Sequence, residues 1–145
     1  LGTIKDAVDE LREESDLKIG VVGVKCFRPF PVEVMGEALE GAKTVVVLER
    51  TLAVGSGGVL SRDIMVSLKD PNVARYTVIA GLGGRAITKA SLKKMLKDAA
   101  AHQLEALTFM DLNKELVERQ LERERKTRKS GPVPEALIRD AAMHQ

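Results

Sequence analysis

The sequence is poorest in the residues that make sites easy to read. It holds one cysteine, one tyrosine, three phenylalanines, two histidines and no tryptophan in 145 residues. A single thiol, Cys26, allows no intrachain disulfide and cannot supply the four thiolates that iron–sulfur clusters take. His102 and His144 stand far apart, with no second His or Cys at ligand spacing from either, so no zinc or other metal site is readable. Acidic and basic residues balance over 1–117, and the whole chain has a formal net charge of +2. A neutral body with so few rings offers neither the basic track nor the stacking platforms of a single-strand binder, so nucleic acid is not an expected partner. Long apolar runs are also missing. The stretches 19–24 and 44–48 fall far short of the roughly 20 residues that cross a bilayer, which argues against a membrane span. Leu1-Gly2-Thr3 leads into charged residues rather than a signal region, and with no initial methionine the chain reads as a piece of a longer one.

What remains is globular in composition, 44% hydrophobic and 30% charged, and sized for one domain with an appendage. Ile4, Ala7, Val8 and Leu11 repeat at helical spacing. Residues 18–24 are mostly apolar and β-branched without polar alternation, the pattern of an interior parallel strand. Pro31 suits the start of a helix through Val34, Met35, Ala38 and Leu39, which Gly41 is placed to stop. A second strand, 44–48, exits through Glu49-Arg50-Thr51, and a third helix follows with Leu60, Ile64, Met65 and Leu68 inward. Pro71-Asn72 makes a turn before a third strand at 76–80. Thr88 can cap a long helix whose apolar positions run from Leu92, Met95, Leu96 and Ala99 on to Leu104 and Leu107. Strands alternating with helices predict a three-layer α/β/α domain with a mostly parallel sheet over 1–112.

Residues 113–145 read as a C-terminal helical extension. Asp111 is placed to cap a helix with Leu112, Leu116, Val117 and Leu121 on a narrow stripe, and Glu115–Arg119 and Glu122–Lys126 are favourable pairs four residues apart. The mixed-sign run that ends this helix reads as solvated. A linker at 129–134 and a short helix with Leu137, Ile138 and Ala141 complete the chain.

Two glycine clusters, Gly55-Ser56-Gly57-Gly58 and Gly81-Leu82-Gly83-Gly84, each follow a strand and precede a helix, where open parallel sheets dock ligands. Neither matches a nucleotide fingerprint, so tight turns are preferred to anion binding. The residues an anion would use are Gly55, Ser56, Gly57, Gly58, Gly83, Gly84 and Arg85. Arg85 can clamp a carboxylate or phosphate, or pair with Glu49 at a neighbouring strand end. Cys26, after a buried strand, reads as an inert buried thiol, and Met35, Met65 and Met95 read as core packing. His102 falls at the polar edge of the long helix. No catalytic acid, base and nucleophile stand together.

These residues carry a resemblance. Lys18-Ile19-Gly20-Val21-Val22-Gly23-Val24 into Phe27-Arg28-Pro29-Phe30-Pro31, followed by Val45-Val46-Val47-Leu48-Glu49-Arg50 and the glycine loop, resembles the alpha subunit of 2-oxoacid:ferredoxin oxidoreductases. The run 76–81 continuing as Leu82-Gly83-Gly84-Arg85-Ala86-Ile87-Thr88 is similar to the pyruvate synthase type. The resemblance covers about residues 3–112 and implies a transketolase C-terminal-domain-like fold. It implies a cytoplasmic, oxygen-sensitive enzyme of anaerobic metabolism that decarboxylates pyruvate on thiamine diphosphate with Mg, passes electrons through iron–sulfur clusters to ferredoxin, and gives the acetyl group to coenzyme A. Those cofactors are then expected in the thiamine-binding and iron–sulfur subunits or domains, with none in this chain, which would serve assembly. The family also places a buried strand ahead of the helix near Thr3, so that strand is expected on polypeptide outside this sequence. The alternative reading is a stand-alone flavodoxin-like module that binds a small anion or docks a protein.

Overall fold

The structure, a computed structural model, describes residues 2–127. The elements run α1 (Gly2–Glu14), α2 (Val32–Ala38), β1 (Thr44–Glu49), β2 (Leu52–Ala53), β3 (Gly57–Gly58), α3 (Val59–Ser67), β4 (Ala74–Ile79), α4 (Lys89–Ala100), β5 (Leu107–Phe109) and α5 (Lys114–Thr127), with a 3₁₀ turn at Leu82–Gly84. They fall into two compact units, Leu1–Asp111 and a second from Leu112 onward. In the first unit three strands form a parallel sheet in the order β1-β4-β5, with Val46 opposite Tyr76 and Val78 opposite Thr108. β2 and β3 form a small antiparallel hairpin.

Period-two alternation on β1 builds the layers. Val46 and Leu48 pack with Val78 beneath α1 and α4, against Ala7, Val8, Leu11, Leu92, Met95 and Leu96. Val45 and Val47 face the other way, against Met35 of α2, Ile64 of α3 and Val73. The α/β class and its helices on both sides of a parallel sheet are as the sequence predicts. The α1 stripe is buried as its spacing requires, and the Thr88 hydroxyl accepts from the Ser91 amide as a cap. A ladder of charges ties α1 to α4: Glu10 takes Lys89 at 2.5 Å and Lys93 at 3.1 Å, and Lys93 also takes Glu14 at 2.5 Å.

Several expectations are corrected. Residues 18–24 form no strand among the described residues. Ile19 and Val21 pack on the α1–α4 layer and Val24 on the α2–α3 layer, yet the backbone joins no ladder, and Arg12 donates through Nε to the Ile19 carbonyl at 2.8 Å. Nor is the run buried on both faces: Ile19, Val21 and Val24 are half-buried and Val22 is 47% exposed, and Gly20 and Gly23 bring no side chain to hold an edge. The long helix stops at Ala100, because His102 turns into the left-handed region (φ 56°), and Leu107 opens β5 instead. Leu104 and Leu107 keep helical spacing only by coincidence. Asp111 does not cap the next helix. Its carboxylate accepts from Ser91 Oγ at 3.0 Å, while Asn113 Oδ1 accepts from the Leu116 amide at 3.0 Å. Met65 is 42% exposed, unlike buried Met35 and Met95, because it lies on the side of α3 away from Ile64. Of the pairs expected on α5, Lys126 and Glu122 lie 3.9 Å apart. The linker at 129–134 and the helix with Leu137, Ile138 and Ala141 lie outside the described residues.

Candidate functional site at the strand ends

Parallel strands release their loops at one rim, so the two glycine clusters meet there as the sequence requires. Gly55-Ser56-Gly57-Gly58 is the turn and second strand of the hairpin. Gly55 and Gly57 both sit near φ 80°, and the Ser56 amide closes on the Ala53 carbonyl at 2.9 Å. Gly58 is the N-cap of α3 and has no side chain to satisfy the helix's free amides. Glu49, at the end of β1, does so. Its Oε2 accepts from the Leu60 amide at 2.9 Å, and its Oε1 accepts from the Ser61 amide at 3.1 Å and the Ser61 hydroxyl at 2.5 Å. Thr77 on β4 extends the chain by donating to Ser61 Oγ at 2.8 Å, with Ser61 and Thr77 both buried. The chain's own carboxylate therefore fills the position at which an external anion would meet this helix.

The second cluster is a tight turn. Gly81, Gly83 and Gly84 all have positive φ, and the Arg85 amide returns to the Leu82 carbonyl. Arg85 pairs with no carboxylate among the described residues; its guanidinium donates to the backbone carbonyl of Asp111. Neither the expected Glu49 pair nor a second clamp residue stands beside it. Arg50 packs against the space over Gly81 and Ile87. Arg28 lies 4.0 Å over the Phe27 ring and bonds Asp63 at 2.8 Å. Cys26 is exposed rather than buried, its thiol against the Pro29 carbonyl at 3.3 Å, because the segment before it is not an interior strand. His102 lies just past α4, with Nδ1 3.2 Å from the Tyr76 hydroxyl. Among the described residues no three His, Cys, Asp or Glu side chains group as a metal ion would need.

Sequence reasoning missed the role of Glu49, although one signal was present. A helix that opens Gly-Val, without Ser, Thr, Asp or Asn at its cap, needs an acceptor from elsewhere, and Glu49 leaves the neighbouring strand at that rim.

The sheet, its two helical layers and the glycine turns at one rim define an open, layered α/β domain. A sequence model described as pyruvate:ferredoxin oxidoreductase core domain II matches residues 1–92, and the chain belongs to that family. It is 38% identical over 125 residues to the pyruvate synthase subunit PorA of Methanosarcina barkeri, covering 81% of this chain and 31% of that protein. Against PorA of Thermotoga maritima it is 41% identical over 101 residues, 67% of this chain and 25% of the relative. Against the ketoisovalerate oxidoreductase subunit VorA of Pyrococcus furiosus it is 38% identical over 102 residues, 68% and 25%. The chain spans between a quarter and a third of the length of these curated relatives.

Proposed function

We propose that this chain is a non-catalytic structural and assembly domain of the alpha subunit of a pyruvate, or other 2-oxoacid, ferredoxin oxidoreductase. In this reading the whole enzyme converts pyruvate, coenzyme A and oxidised ferredoxin to acetyl-coenzyme A, carbon dioxide and reduced ferredoxin. Thiamine diphosphate would supply the electron sink for decarboxylation in that enzyme, and iron–sulfur clusters the electron transfer. The described residues do not fit either group. One exposed thiol cannot hold a cluster, and the α3 N-terminus that could meet a diphosphate already holds Glu49. Both cofactors then belong to the thiamine-binding and iron–sulfur parts with which this domain assembles. The observation that carries the non-catalytic reading is that the α3 N-terminus, the helix end at this rim that could meet a diphosphate, is occupied by the chain's own Glu49 carboxylate.

The relatives include pyruvate synthase and ketoisovalerate oxidoreductase subunits, so the residues that choose between 2-oxoacids lie, in this reading, outside the matched domain. The lateral edge of β1 and the apolar backbone of 18–24 supply the other half of the proposal. Both lack a ladder partner among the described residues, and a strand from polypeptide outside this sequence would satisfy both.

Native mass spectrometry of the chain purified anaerobically from its own source tests the reading. Recovery with large companion polypeptides, thiamine diphosphate and iron is expected. A lone monomer whose unfolding midpoint rises with added phosphate would overturn it in favour of a small-anion-binding module.

A further inference from the structure

We propose that the rim at which β1, β4 and β5 end is the docking face of this domain, and that it receives a protein surface bearing carboxylates around an apolar recess. The proposal rests on the assembly reading above and adds where and by what chemistry the contact is made.

Four arginines, Arg28, Arg50, Arg62 and Arg85, stand at the rim against three acids, Glu49, Asp63 and Asp111, whose oxygens already carry hydrogen bonds. The acids are committed: Glu49 to the α3 amides, Asp111 to Ser91, and Asp63 to Arg28. Three arginines are not. Arg50 follows β1, Arg62 lies in the first turn of α3, and Arg85 follows the second glycine turn. Each carries a fixed charge, and none has a carboxylate within ion-pair distance among the described residues. Arg62 makes only a long bond to Ser56 Oγ at 3.3 Å, and Arg85 spends one nitrogen on a backbone carbonyl. A guanidinium fork left open in this way matches a carboxylate in a bidentate geometry that neither water nor a lysine partner reproduces.

Apolar tips stand on the same loops. Val54, at the crest of the hairpin, is 97% exposed, and Leu82 in the second turn is 48% exposed. A valine held clear of its own core by a hydrogen-bonded hairpin is costly to leave in water and has a fixed position from which to enter a recess. Arginine is enriched at the centres of protein contacts, where its fork meets carboxylates out of water. A nucleic acid would satisfy the charge but gives Val54 nothing to enter.

The test uses the tagged chain co-produced with the thiamine-binding and iron–sulfur subunits of its own source, comparing wild type with Arg62→Glu, Val54→Asp and Val66→Asp. All three positions are exposed, and Val66, 72% exposed on α3, is the control away from the rim. Arg62→Glu and Val54→Asp are each expected to raise the dissociation constant of the assembly at least tenfold, with unfolding midpoints unchanged. Val66→Asp is expected to change neither. Weakening of wild-type assembly at high salt, and a smaller weakening in Arg62→Glu, is expected as well. Wild-type assembly that survives both rim substitutions, or that Val66→Asp disrupts, overturns the docking face and leaves the assembly reading standing. Wild type that recruits none of these subunits overturns both. Binding that is lost in Arg62→Glu but proves to be co-purified nucleic acid overturns the protein partner.

Discussion

Gly58 shows how one residue's identity can be set by another's function. Its backbone angles, φ −71° and ψ 143°, are open to any amino acid, so conformation does not demand glycine. Space does. A Cβ there would overlap the Glu49 carboxylate and stand 2.8 Å from Ser61 Oγ. Gly58→Ala therefore forces the carboxylate off the Leu60 and Ser61 amides, and unsatisfied donors at a part-buried helix end cost about 1–3 kcal/mol. Glu49→Ala removes the same acceptor without the collision and is expected to cost a similar amount. The two losses share one cause, so they should not add: in a Glu49→Ala background, Gly58→Ala should cost less than about 0.5 kcal/mol. Urea midpoints of the two single variants and the double variant decide it, and additive losses would show that Gly58 answers to something other than Glu49. The sequence marks Glu49 as the polar end of a strand and a candidate partner for Arg85, not as the acceptor for a helix end. Its true partners lie eleven and twelve positions on, across a hairpin that no periodicity announces.

Among the elements, the α1–α4 contact joins a buried apolar seam to an exposed ionic one. The apolar half was legible, because Ala7, Val8, Leu11, Leu92, Met95 and Leu96 all fall on helical spacing. The ionic half was not, because Glu10 and Lys89 are neighbours only after the sheet has been crossed twice. Lys89, and then Lys93, hold the Glu10 carboxyl below its ordinary value of 4.5. Glu10 in turn raises Lys89 above 10.5, and Glu14 and then Glu10 raise Lys93. A lowered carboxyl stabilises the fold above the ordinary carboxylate value and loses that contribution as pH falls through the lowered one; the raised lysines lose theirs as pH rises past the lysine range. Glu10→Gln is therefore expected to lower the thermal midpoint slightly near neutrality and by progressively less below about pH 4, where the wild type loses the same charge. High salt should shrink the neutral difference too, since these groups face solvent. A difference that persists at pH 2 would assign the effect to packing. Strand identity was the weaker part of the sequence reading for a related reason. Residues 18–24 have strand composition without a ladder partner among the described residues, and β5 has a partner but only three residues, too few to stand out beside a helix with the same apolar spacing.

For the molecule as a whole, the question is what the body needs from residues beyond it. Both apolar clusters of the first unit are built from residues up to Met110, and that unit ends at Asp111. The helix that follows, α5, belongs to the second unit and exposes Val117 and Leu121, with Leu112 exposed just before its start. A stripe of only three or four apolar residues cannot bury enough surface to found a core, which is why the sequence reads residues 113–145 as an extension. Removing residues 113–145 is accordingly expected to move the unfolding free energy of the body by no more than about 0.5 kcal/mol, the range of surface changes. Leu92→Ala, at a fully buried position between α4 and the sheet, supplies the internal scale with an expected loss of about 2–5 kcal/mol. If α5 and the residues after it act as a docking element, the truncated chain keeps its midpoint but assembles more weakly with the companion subunits, a separation that denaturation and native mass spectrometry read independently. Truncation that lowers the midpoint as far as Leu92→Ala would instead make residues 113–145 part of the folding unit, and the division at Asp111 would then describe contacts rather than stability.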